Sequence, residues 1–78
     1  MDKEKTALEI VAIELGKAKG KHRVFPSGVY ALSIITEELG ELAAALNDGE
    51  RDERLAEEAA HVAVTAIRFI EGVLNDAE

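Results

Sequence analysis

Cysteine is absent from this chain, which removes two devices that commonly hold small domains together. Neither a disulfide framework nor a thiolate zinc site can form. Aromatic residues are scarce, with two Phe, one Tyr and no Trp, so any core is aliphatic. Positive charge is short as well: nine Lys and Arg stand against sixteen Asp and Glu, for a formal charge of −7. Contacts to nucleic-acid phosphates need a basic surface, so no nucleic-acid partner is expected. No apolar run reaches the length of a membrane-spanning helix and no signal-peptide pattern opens the sequence. No membrane partner is therefore expected, and the cytoplasm is the expected location. Internal repeats, linkers and low-complexity segments are also missing. What remains is 78 residues, expected to form one domain over 1–78 that sits near the limit of independent stability. With disulfides and zinc removed, oligomerisation is the remaining common device.

The apolar residues recur at helical spacing, which predicts an all-α fold of three helices near 3–19, 28–47 and 51–74. In the first, Leu8, Val11, Ala12, Leu15 and Ala18 make the stripe. Ile10 and Ile13 fall outside it, as single exposed residues or as contacts to a second protomer. Gly20 is the expected stop. The second helix opens on Pro26-Ser27, a break followed by a capping residue, with Ile35, Leu39, Leu42 and Leu46 as its expected core stripe. Asn47-Asp48-Gly49 reads as a turn, with Asp52 the expected cap of the third helix. So short a connection predicts that helices two and three pack antiparallel. Helix three is apolar over a very wide arc. Leu55, Ala59, Val62, Ala66, Phe69 and Val73 lie on one side, and Val64, Ile67, Ile70 and Leu74 extend round it. One chain cannot cover all of that, so the excess predicts a homodimer, and a tetramer stays open.

Four residues stand out chemically. Glu38 and Glu41 lie about 60° apart on one helix face, and Ala31, Ile34, Leu42 and Ala45 crowd round Glu38. Glu58 has Val62 and Phe69 as its wheel neighbours, and His61 follows one turn later. Glu pairs at this spacing ordinarily face water. An ionised carboxylate inside an apolar stripe is costly unless something pairs with it, so two such acids on consecutive helices point to a shared cation. Hard divalent cations take oxygen ligands, and Mg²⁺ accepts one or two carboxylates with phosphate and water. Glu38, Glu41 and Glu58 are thus candidate ligands for one cation. His61 is either a nitrogen ligand, better suited to Mn²⁺, Fe²⁺ or Zn²⁺, or a general base, or a hydrogen-bond partner of a neighbouring Glu.

Glu38-x-x-Glu41 followed by Glu58-x-x-His61 resembles the ExxE…ExxD signature of the all-α nucleoside triphosphate pyrophosphohydrolases, the MazG-like family. The flanks agree: Phe25-Pro26-Ser27, Tyr30-Ala31-Leu32, the run Glu37-Glu38-Leu39-Gly40-Glu41, and 63–68. The similarity covers about residues 24 to 70. His61 stands where the family has an acid. The resemblance implies Mg²⁺, or Mn²⁺, as cofactor. It implies hydrolysis of a nucleoside triphosphate between its α and β phosphates, releasing the monophosphate and pyrophosphate. The implied architecture is a three-helix chain completing a four-helix-bundle-like core by homodimerisation. Glu37 would hold a second metal or orient the water, or simply be solvated. Lys21 and Arg23, in a basic stretch from Lys17, and Arg68, two turns beyond His61, are candidate phosphate contacts; solvation and ion pairs with Glu57 or Glu71 are their ordinary alternatives. Tyr30 is either a packing or a site residue.

Two other functions fit the same residues. Glu-x-x-His on one helix with a Glu on its neighbour is half of a di-iron carboxylate set, which two copies would complete. A dimeric helical module that keeps the fold but, with His61, has lost the activity is the other.

Overall fold

The computed structural model describes residues 6–21 and 27–76, which form three α-helices: α1 (Ala7–Lys21), α2 (Gly28–Asn47) and α3 (Asp52–Asp76). Among the described residues there is no strand. Local chemistry sets the ends. Thr6 and Glu9 make a reciprocal capping box: Glu9 N donates to Thr6 Oγ1 at 3.1 Å, and Thr6 N donates to Glu9 Oε1 at 2.7 Å. That starts α1 at residue 7 rather than 3, and the helix runs through Gly20, which is therefore not its stop. Ser27 is extended (φ −160°, ψ 162°) and accepts from Tyr30 N at 3.1 Å, capping α2 as expected.

The turn at 47–50 ends α2 in a Schellman arrangement. Glu50 N donates to Ala45 O (3.0 Å) and Gly49 N to Leu46 O (3.2 Å), with Gly49 at φ +72°. Arg51, not Asp52, holds the cap position of α3, its carbonyl accepting from Arg54 N and Leu55 N. Asp52 instead opens the helix and, with Glu53, places negative charge at the positive end of its dipole.

The chain turns back on itself, so α3 packs along α2, with Phe69 beside Gly28 at one end. It also carries α1, and among the described residues no Cα of α1 comes within 8 Å of α2. The apolar residues buried in the interior are small: Ala31, Ala45, Ala60 and Val64. Ile34, Ile35 and Leu42 on α2 and Val62, Ala66, Ile67 and Phe69 on α3 are half-buried.

This corrects the expected stripes. On α2, Leu39 and Leu46 are exposed, and the inner face is centred on Glu38 with Ala31, Ile34, Leu42 and Ala45. On α1, Leu8 and Ala12 are exposed and Ile10 is half-buried. On α3, Ala59 and Val73 are exposed, whereas Val64, expected in the excess arc, is buried within the chain. Its arc is partly used up because α3 has a neighbour on two sides. No helix among the described residues is long and apolar enough to cross a membrane.

Candidate metal centre

Beside Ala60 and Val64, α3 also buries polar residues. Glu58, Thr65 and Arg68 are buried, with half-buried His61 between them. Thr65 satisfies itself locally, its hydroxyl donating to Val62 O at 2.8 Å. Glu58, with only 3% of its side chain exposed, pairs through Oε2 with Arg54 one turn earlier. Arg54 also grips Glu57, at 2.9 Å. One guanidinium therefore fixes the Glu58 carboxylate and leaves its other oxygen turned elsewhere.

That oxygen meets α2. One carboxylate oxygen each of Glu38 and Glu58 and a ring nitrogen of His61 all lie within 4.8 Å of one another. His61 Nδ1 is 3.6 Å from Glu58 Oε1 and 3.8 Å from Glu38 Oε1. Both separations are too long for a hydrogen bond. Among the described residues neither carboxylate oxygen has a hydrogen-bond partner, although both are buried. Buried polar atoms are almost always satisfied; the imidazole nitrogen is too distant to satisfy either carboxylate oxygen, and a cation between the three atoms would satisfy both. Ligands of one ion at about 2.1 Å stand about 3 to 4 Å apart, so this trio needs only a small contraction to close on a metal.

Electrostatics agree. Burial pushes the Glu38 carboxyl above the ordinary carboxylate range, and Glu41, Glu58 and Glu37 add to the rise, while His61 opposes it. A buried carboxylate whose ionisation is resisted sits where positive charge is short.

The structure brings together Glu38, Glu58 and His61. Glu41, one turn from Glu38, is exposed and outside the trio, as is Glu37. Arg68 is buried two turns beyond His61. Lys21 ends α1, its side chain outside the described residues, and Arg23 lies outside them entirely. Tyr30 is about half exposed.

A fourth residue escaped the sequence reading. Glu14, on α1, is half-buried, and its Oε1 lies 3.3 Å from His61 Nε2. Lys17 holds its other oxygen, also at 3.3 Å. Burial, the largest influence on this carboxyl, would push it up, but Lys17 and His61 together outweigh that and hold it below the usual value. The signal was present: Glu14 sits between Val11, Leu15 and Ala18 on the wheel, as Glu38 sits among its own apolar neighbours. Comparison with family models, with characterised proteins and with solved structures finds no match to this chain.

Proposed function

We propose that the chain is a metal-dependent nucleoside triphosphate pyrophosphohydrolase of the MazG-like kind, releasing a nucleoside monophosphate and pyrophosphate. The observation that carries the metal requirement is the pair of buried, unpartnered oxygens, Glu38 Oε1 and Glu58 Oε1, near His61 Nδ1. The nucleotide comes from the resemblance of Glu38-x-x-Glu41 and Glu58-x-x-His61, with their flanks, to that family. Glu38, Glu58 and His61 hold the cation. Glu41 and Glu37, exposed beside them, bind or orient water at its outer side. Arg68, Lys21 and Arg23 are the proposed phosphate contacts.

When bound, the metal neutralises phosphate charge and lowers the pKa of a coordinated water. An imidazole among carboxylates favours Mn²⁺ over Mg²⁺. The active form is a cytoplasmic homodimer with a four-helix-bundle-like core, because one chain leaves much apolar surface uncovered.

The deciding experiment measures pyrophosphate release from a panel of canonical and damaged nucleoside triphosphates with Mg²⁺ and Mn²⁺. Release from at least one, stronger with Mn²⁺ and lost in Glu58→Gln, is the expected result. No release from any sinks the reading. The nitrogen donor beside two carboxylates also favours a second reading, half of a di-iron set completed by the other protomer. Visible absorbance and ferroxidase turnover after Fe²⁺ loading, without pyrophosphate release, would select it.

A further inference from the structure

His61 makes two different approaches with its two ring nitrogens. Nδ1 faces the unpartnered oxygens of Glu38 and Glu58, at 3.8 and 3.6 Å. Nε2 faces Glu14 Oε1 across the α1–α3 contact, at 3.3 Å. In a neutral imidazole one nitrogen carries the proton and the other a lone pair, and the partner of the first decides which atom can bind a metal. A carboxylate only accepts, and Glu14 makes the shortest of the three approaches to the ring, so it favours the proton on Nε2.

We infer that Glu14 is the positioning residue of the metal centre: it takes the Nε2–H of His61 and so turns the Nδ1 lone pair toward the cation held by Glu38 and Glu58. This rests on the metal reading above and adds to it an α1 residue outside the signature. Histidine ligands ordinarily give their second N–H to such a carboxylate, which fixes the ring and raises its basicity. Lys17, on the other Glu14 oxygen, aims the carboxylate. The arrangement has a consequence for the fold. Glu14–His61 and Lys19–Glu71 (3.0 Å) tie α1 to α3, and α1 has no close backbone approach to α2. A cation that fixes His61 therefore also holds α1.

The test uses the full chain and Zn²⁺, a diamagnetic ion that accepts imidazole and carboxylate. Nitrogen-15 spectra of the zinc-loaded protein should show His61 metallated at Nδ1 and protonated at Nε2. Glu14→Ala should weaken zinc about 10- to 100-fold, and Glu14→Gln, which keeps an accepting oxygen, should recover part of that loss. Zinc should slow amide exchange in α1 of the wild type and not of Glu14→Ala. Metallation at Nε2, or zinc affinity unchanged in Glu14→Ala, overturns this inference while leaving the metal centre standing. Failure of the wild type to bind zinc overturns both. The tautomer is read on the wild-type chain, so the outcome does not depend on how well either variant folds.

Discussion

At the residue scale, the molecule is governed by Glu38 and Glu58, two acids set where apolar residues would normally be. Both were legible in the sequence, because a wheel shows which neighbours an acid keeps. The distribution of roles was not. Glu41 shares a face with Glu38 at 60° spacing, yet it is exposed, since that small rotation carries it past the edge of the α2–α3 contact. Glu14 belongs to a helix distant in sequence, and no local pattern announces that it will meet His61.

Two predictions belong here. Metal bound only by the folded state stabilises it by mass action, about 2.7 kcal/mol at a hundredfold excess over the dissociation constant. In a domain of this size that corresponds to a rise in Tm of roughly 10–20 °C. Scanning calorimetry with Mn²⁺ should show such a rise in the wild type and none in Glu58→Gln.

The second prediction concerns pH without metal. Burial raises the Glu38 pKa from 4.5, so the folded chain binds this proton more tightly than the unfolded one. Its contribution to stability is complete below 4.5 and is lost as pH rises through the folded value. Glu14, net lowered, acts in the opposite sense below 4.5, so the two windows do not overlap. Denaturation of the metal-free chain should therefore show stability falling as pH rises above 4.5, and Glu38→Gln should flatten that fall. An unchanged profile in Glu38→Gln would mean that its carboxylate is not strained.

At the scale of the helices, boundaries were easier to read than faces. Pro26-Ser27 and Asn47-Asp48-Gly49 marked both ends of α2 because capping and turn chemistry is local. The Thr6–Glu9 box was equally local and was overlooked in favour of the longer apolar pattern. Faces are different: α2 has apolar residues on opposite sides, and hydrophobicity alone does not say which side meets α3. The fully covered positions are small, Ala31, Ala45 and Ala60, with Ile34 and Leu42 half-buried beside them and Leu39 and Leu46 outside. The turn itself is testable. Gly49 has φ +72° with nothing near a Cβ built on it, so only backbone strain opposes a side chain there. Gly49→Ala should lower stability by about 1 kcal/mol in urea titrations, with Mn²⁺ affinity unchanged. A neutral effect would show that the turn relaxes at no cost.

At the scale of the whole molecule, a single chain is poorly enclosed. Its radius of gyration is 13.6 Å, against about 11.5 Å for a compact domain of this length. Its accessible surface is 5890 Å², against about 4600 Å² for a folded monomer of its mass. The uncovered apolar residues have an order on α2. Val29, Leu32, Leu39 and Leu46 are all more than half exposed, and with exposed Thr36 and Ala43 they follow alternating steps of three and four. That is the seam of a coiled coil, about 26 Å long at 1.5 Å per residue, on the side of α2 away from Glu38. A second copy of the same neutral seam can cover it without burying a charge. Sedimentation should therefore find a dimer at micromolar concentration, with a Tm that rises with protein concentration. Leu32→Glu combined with Leu39→Glu changes residues that are exposed within one chain, so the protomer can keep its helices. It should sediment as a monomer with a concentration-independent Tm. A wild type that is monomeric at micromolar concentration refutes the dimer. A double variant that remains dimeric moves the interface elsewhere, to the exposed end of α3 at Ile70, Val73 and Leu74.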